Sequence, residues 1–361
     1  MPGLGSAVVT PPASGAHDAS LAGRRPQVPV ARLLAELVPP RHFARESFET
    51  YRPDPAFGSQ QDALTRLRAV AEVIGAPVRA RAGGSWLRRG PRAAPPAVYL
   101  DGGFGVGKTH LLASLAHCVG PDVAAYGTFV EYTNLVGALG FAPTVDALAK
   151  NRLVAIDEFE LDDPGDTVLM SRLLRELADR GVALVATSNT LPESLGEGRF
   201  AAADFLREIQ ALAARFEVLR VDGEDYRHRA TVTDAPAVPD EVVRAATRRD
   251  PRATLDDFGT LLGHLAQVHP SRYGALLDGV TLVGLTGVGP VEHESAALRL
   301  VVLVDRLYDR DVPVLLGGSG ERGLFTPVML RGGYRKKYDR ALSRLGDRAE
   351  QGRALTRRPP G

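Results

Sequence analysis

The stretch from Ala97 to Cys118 constrains this chain more than any other. An apolar run, Ala97-Val-Tyr-Leu100, leads to Gly102, four further residues, and then Gly107-Lys108-Thr109. Beyond it, Leu111, Leu112, Leu115 and Ala116 recur at helical spacing between His110 and Cys118. A buried strand, a glycine-rich turn and a helix N-terminus together make a cradle for phosphates. Glycines let backbone N–H groups curl around an anion, and the helix end adds partial positive charge. In this pattern Gly102, Gly103, Phe104, Gly105, Val106 and Gly107, with His110 just beyond, are expected to surround a triphosphate. Lys108 is placed to reach the β and γ phosphates, and the Thr109 hydroxyl to ligate Mg²⁺.

The rest of the chain supplies a matching frame. Arg152-Leu-Val-Ala-Ile-Asp-Glu158 is an apolar strand ending in two carboxylates, as in a strand buried on both faces of a parallel sheet. Beside a phosphate loop, Asp157 suits holding Mg²⁺ and Glu158 suits activating a water as general base. Val182 to Thr187 reads as another buried strand. Asn189 ends it, at the edge where an amide can donate to phosphate and accept from water. Helical periodicity over Gln60–Ile74, Asp166–Arg180 and Ala203–Phe216, alternating with these strands, predicts a three-layer α/β sandwich. Gln60 opens the first of these helices. The segment Tyr51 to Gln60 either closes a base pocket or docks on the core through Tyr51 and Phe57.

After the core, Asp222 to Asp250 is polar and expected to be irregular, and Thr254–Val268 and Ser271–Leu277 are expected to be helical. Val280–Leu285, Glu294–Asp309 and Val312–Leu316 read as strand, helix and strand. Asp305 falls on an otherwise apolar helix and therefore needs a hydrogen bond or ion-pair partner. Expected units are a disordered tail over 1–30, a helical segment with a basic loop over 31–92, and the P-loop core over 93–230. A mixed α/β accessory or lid region over 231–345 and a flexible, charged tail over 346–361 complete the chain.

The 361 residues are 44% hydrophobic and carry 44 basic against 43 acidic side chains, so net charge gives no general drive toward nucleic acid or anionic membrane. The arginine-rich loop 79–92 suits a nucleic-acid contact or a solvated surface. The single cysteine, Cys118, excludes an internal disulfide and suits a reducing compartment; its apolar neighbours predict a buried thiol. No apolar run approaches the ~20 residues of a membrane span, so a cytoplasmic chain is expected. An arginine from a neighbouring subunit can complete a phosphate-loop site, and Arg199 and Arg207 are the candidates. That reading predicts a homo-oligomer.

Taken in order, several motifs form a familiar series. They are Phe48-Glu-Thr-Tyr51 through Ser59-Gln60, Gly102 to Thr109, Ile156-Asp-Glu-Phe159 and Thr187-Ser-Asn189. Val221-Asp-Gly223 with Asp225-Tyr-Arg227, Val304-Asp-Arg-Leu-Tyr-Asp309 and Leu342-Ser-Arg-Leu345 follow. The series resembles the ZapE-type ATPases, AAA+-related P-loop proteins tied to cell division, and spans most of residues 46–346. The resemblance implies an AAA+-like core, ATP binding and Mg²⁺-dependent hydrolysis. It also implies a cytoplasmic protein recruited to the divisome through the tubulin-like ring protein FtsZ. In this frame Arg344 is a second arginine that reaches the nucleotide from the C-terminal region. Phe129-Val-Glu-Tyr132 departs from the family pattern, and alanines precede Phe205 where the family places an arginine. A DNA-linked ATPase resembling helicase loaders and a nucleotide-gated scaffold are the alternative functions. Nucleic acid is not the expected partner.

Overall fold

The computed structural model of the protein describes residues 19–75, 94–103, 105–159, 164–189, 214–224 and 237–357. The basic loop 79–92, Phe104, Arg199, Arg207 and the motif Asp225–Arg227 lie outside the described residues. Helices α1 (Val30–Ala35) and α2 (Gly58–Gly75) precede a first βα series. It runs β1 (Ala97–Asp101), α3 (Lys108–Val119), β2 (Ala124–Thr128), α4 (Phe129–Leu139), α5 (Phe141–Leu148), β3 (Leu153–Asp157), α6 (Pro164–Asp179), β4 (Ala183–Ser188) and β5 (Glu217–Arg220). A second series follows: α7 (Asp240–Thr247), β6 (Ala253–Asp257), α8 (Phe258–Leu265), α9 (Tyr273–Leu276), β7 (Leu282–Thr286), α10 (Glu294–Asp309), β8 (Val314–Leu316) and α11 (Arg335–Arg357).

The first lobe is a parallel sheet of order β2-β3-β4-β1-β5. Its central strands are apolar throughout because both faces are covered, and their two-residue period divides them between two cores. Val98, Leu100, Leu153, Ala155, Ala183 and Val185 pack with α2 and α3. Tyr99, Val154, Ile156, Leu184 and Ala186 pack on the other side with α4, α5 and α6. In register, Asp101 faces Ser188 across the β1/β4 pair and Thr128 faces Asp157 across β2/β3, so the carboxyl ends of four strands share one edge.

The second lobe is a smaller parallel sheet, β6-β7-β8, with its own core. Helix α10 crosses from β7 to β8 and buries Ala297, Leu300, Val301, Leu303, Val304 and Leu307, the spacing of one apolar face. Several expectations are corrected here. Ala253–Asp257 is a strand and not the start of a helix; Asp257 stops it by capping α8, its side chain accepting from the Thr260 amide at 2.9 Å. Asp240–Thr247 is a helix inside the stretch expected to be irregular. The C-terminal tail is not flexible from residue 346, since α11 continues to Arg357. Its buried apolar residues, Tyr338, Ala341, Leu345 and Ala349, fall about one per turn among charges, and Gly352 lets the helix close onto Val314 of β8. The thiol of Cys118 is exposed, because its side of α3 turns away from the sheet.

Residues 19–28 are also ordered, contrary to the expected tail. Asp256 accepts hydrogen bonds from the Ser20 hydroxyl at 2.6 Å and from the Leu21 and Ala22 amides at 2.9 Å, and Leu21 is fully buried in the second core. The same segment continues through α1 to Leu37, whose carbonyl accepts from the Tyr126 amide at the edge of β2. The N-terminal segment thus straps one lobe to the other.

Candidate nucleotide site

The phosphate loop has the geometry its glycines suggest. Gly105 and Gly107 adopt φ of 68° and 93°, and a Cβ on Gly102 would lie 2.1 Å from the Val221 carbonyl oxygen. No side chain fits there, so only glycine lets the loop pack this closely on Val221. Gly107 precedes α3 without a side-chain cap, leaving the helix N-terminus open to an anion. Lys108 is nearly buried; its ammonium donates to the carbonyls of Gly102 and Gly103 at 2.7 and 2.5 Å and to Asn189 Oδ1 at 3.0 Å. The fold therefore brings Lys108 and Asn189, predicted separately, into direct contact.

Asp157 ends β3 almost fully buried. It accepts from the Thr187 hydroxyl at 2.5 Å, the Tyr126 hydroxyl at 2.8 Å and the Thr109 hydroxyl at 3.3 Å. Burial, with Glu158 beside it, raises the Asp157 carboxyl above its ordinary pKa, against the pull of those three hydrogen bonds. Burial first and Asp157 second push the Tyr126 phenol well above its usual range, so it stays a donor. Glu158 holds a left-handed backbone, φ 54°, fixed by its amide donating to Thr187 Oγ1 at 3.1 Å and to Asp157 Oδ1 at 3.2 Å. That turn throws its side chain away from Asp157 toward the second lobe.

There the Glu158 carboxylate pairs with Arg340 and lies 3.9 Å from Arg344. Arg340 and Arg344 are one turn apart on α11, and both reach Asp305 of α10, at 3.2 and 2.5 Å. This supplies the partner that Asp305 was expected to need. Burial alone would raise its pKa, but the two guanidinium groups hold it below the ordinary carboxylate value. Nearby, Glu131 of α4 pairs with Arg306 of α10 at 2.5 Å. Between the lobes lies a cavity of about 1200 Å³, lined from Thr109, Asp157 and Glu158 to Asp305, Arg340 and Arg344.

The other sequence candidates are dispersed around this centre. The His110 ring turns to the Thr50 hydroxyl at 3.0 Å and the Ser47 carbonyl at 3.2 Å, tying the preceding segment to α3. The Gln60 amide donates to the Asp222 carbonyl at 2.7 Å and accepts from the Asp54 amide at 2.8 Å, so both ends hold backbone. The Tyr51 ring is buried against Gly107. Arg344 is at the acidic cluster of Glu158 and Asp305. Sequence reasoning missed Arg340 and Tyr126. A signal for the first was present: Arg340 and Arg344 are four residues apart on a helix and so share a face. Tyr126 left none, since its contact depends on β2 lying beside β3.

Sheet order, glycine loop and strand-end acids define a P-loop nucleoside triphosphatase of AAA+-like layout. A family model for AFG1-like ATPases matches residues 27–240 and 240–357. The chain belongs to the AFG1-like ATPase family and is an ATP-hydrolysing enzyme. It is 28% identical over 353 residues to the cell division protein ZapE of Escherichia coli K12, covering 82% of this chain and 91% of the relative. It is also 29% identical over 172 residues to an uncharacterized protein of Schizosaccharomyces pombe, covering 42% of this chain and 38% of that one. Among solved structures, DnaI matches at 18% identity and a TM-score of 0.40, covering 54% of this chain and 99% of DnaI. AMPPCP-bound DnaA from Aquifex aeolicus matches at 12% identity and 0.38, covering 57% and 56%. The strand order and glycine loop define the fold independently of these partial overlaps. Among the described residues, no helix is long and apolar enough to cross a membrane.

Proposed function

We propose that the chain is a Mg²⁺-dependent ATPase that acts in cell division on the FtsZ ring, as a homo-oligomer whose Arg199 or Arg207 reaches a neighbouring site. The observation that carries the catalytic part is the convergence of Lys108, Thr109, Asp157 and Asn189 on one edge of the sheet, with Glu158 beginning there. The donor set fits a magnesium ion: Thr109 and Asp157 present hard oxygens 3.3 Å apart beside the loop. Magnesium, when bound, supplies positive charge to the phosphate oxygens. Lys108 exchanges its loop carbonyls for the β and γ phosphates, and Asn189, released by Lys108, orients the water. Glu158 takes the proton of that water, and the oxygen attacks the γ phosphorus as the bond to ADP breaks. The division role is supported by the similarity to ZapE over 82% of this chain and 91% of the relative.

Two substitutions separate binding from chemistry. Lys108→Ala is expected to abolish tight ATP binding, measured by calorimetry. Glu158→Gln is expected to keep binding and lose turnover by about 10²–10⁴-fold, the range for a positioned general base. Equal loss of affinity in both variants would refute this division of roles. FtsZ-dependent stimulation of turnover, compared with stimulation by single-stranded DNA, decides between the division reading and a DNA-linked one.

A further inference from the structure

Glu158 is held by the wrong partner for a base. A carboxylate paired with a guanidinium has its lone pairs occupied. Arg340 makes that pair, Arg344 stands 3.9 Å away, and the contact joins α11 of the second lobe to the end of β3 in the first. The left-handed backbone of Glu158 aims the side chain at this contact. Asp305 anchors both arginines from behind, so Arg340 keeps one carboxylate partner whenever it leaves the other. Thr109, Asp157, Glu158 and Arg340 line one continuous cavity, so it runs from the arginine to Thr109, where the phosphate loop ends. A guanidinium fork fits phosphate oxygens as well as it fits a carboxylate.

We infer that Glu158 and the γ phosphate of ATP compete for Arg340, so that drawing Arg340 onto the phosphate frees Glu158 and couples the second lobe to the reaction. Arg340 is thus a positioning residue acting through Glu158, and the inference rests on Glu158 being the base. Competition for one cation has a thermodynamic signature. Removing the charge of Glu158 should strengthen binding of a nucleotide that carries a γ phosphate, and that gain should depend on Arg340. ADP has no γ phosphate and should show little of it.

The test is a double-mutant cycle on binding, using full-length protein with Mg²⁺ and the non-hydrolysable AMPPCP or ADP. Glu158→Gln is expected to tighten AMPPCP relative to ADP by about tenfold, a typical coupling between sites. In the Arg340→Gln background the same change should tighten it by no more than about twofold, the repulsion between Glu158 and phosphate alone, while Arg340→Lys should restore part of the difference. An equal gain in both backgrounds would overturn the inference and leave Arg340 a structural ion pair. Should Arg340→Gln fail to fold, hydrogen exchange on the unaltered protein decides. AMPPCP, but not ADP, should change exchange across residues 335–345, and identical exchange with both nucleotides would overturn the inference equally. Full turnover by Glu158→Gln would instead remove the role of Glu158 as base, which is the failure of the underlying reading and not of the competition.

Discussion

The two lobes are built from the same unit, a parallel strand followed by a helix, but the turns that join strand to helix are finished differently from one unit to the next. In the second lobe Asp257 ends β6 and caps α8 with its own carboxylate. In the first lobe Thr128 does the same for α4, in a capping box with Glu131. At the β1–α3 turn there is no capping side chain, only Gly107 in a left-handed conformation. A capped helix start has its free N–H groups satisfied from within, whereas an uncapped start beside a lysine has them available for phosphate. Architecture alone therefore does not make the site. It comes from which turn is left open, and from the acids that the parallel register sets beside it.

A matched pair of substitutions tests that contrast most severely. A Cβ on Gly102 would meet the Val221 carbonyl at 2.1 Å, and one on Gly352 would meet the Val314 carbonyl at 2.1 Å. Gly102→Ala and Gly352→Ala are each expected to destabilise by about 3 kcal/mol, the upper range for an overpacked contact. Only Gly102→Ala should also weaken ATP, in calorimetry on protein shown folded by circular dichroism. Loss of ATP affinity in both would mean that the second lobe shapes the loop as well. A smaller effect is expected at the strap. Asp256→Ala removes the acceptor for Ser20, Leu21 and Ala22 and should cost about 2 kcal/mol. Hydrogen exchange over residues 19–28 should rise with it, and unchanged exchange would assign the strap to Leu21 burial alone. Least of all, Asp257→Ala should cost about 1 kcal/mol for a lost N-cap, read from thermal unfolding, with ATP affinity unaltered.

Much of the first lobe was legible because its signals are local. The apolar runs of β1, β3 and β4, the helical face of α2, and the glycine spacing before α3 each lie within one element. Asp157 and Glu158 could be proposed as site residues from the sequence, since they end an apolar strand beside such a loop. The second lobe was harder to read. Strand β6 runs straight into α8, and its residues Thr254, Leu255 and Asp256 carry neither a glycine break nor an apolar run. In α11 the mean hydropathy is low because charged residues surround a narrow apolar seam, so its second half, from residue 346, reads as a tail. Arg199 and Arg207, and with them the proposed contact between subunits, lie outside the described residues.

Short-range pattern set the P-loop chemistry: glycines where φ is positive, a lysine at the helix start, and acids at a strand's end, all readable from neighbours in the chain. Tertiary structure decided which charges meet. Glu158 and Arg340 are 182 residues apart, and Ser20 and Asp256 are 236 apart. Such pairs leave no trace in periodicity, because an arginine on a helix face looks the same whether it meets solvent or a carboxylate. Only the packing of α11 on α10, and of both beside β3, determines that Arg340 faces the candidate base.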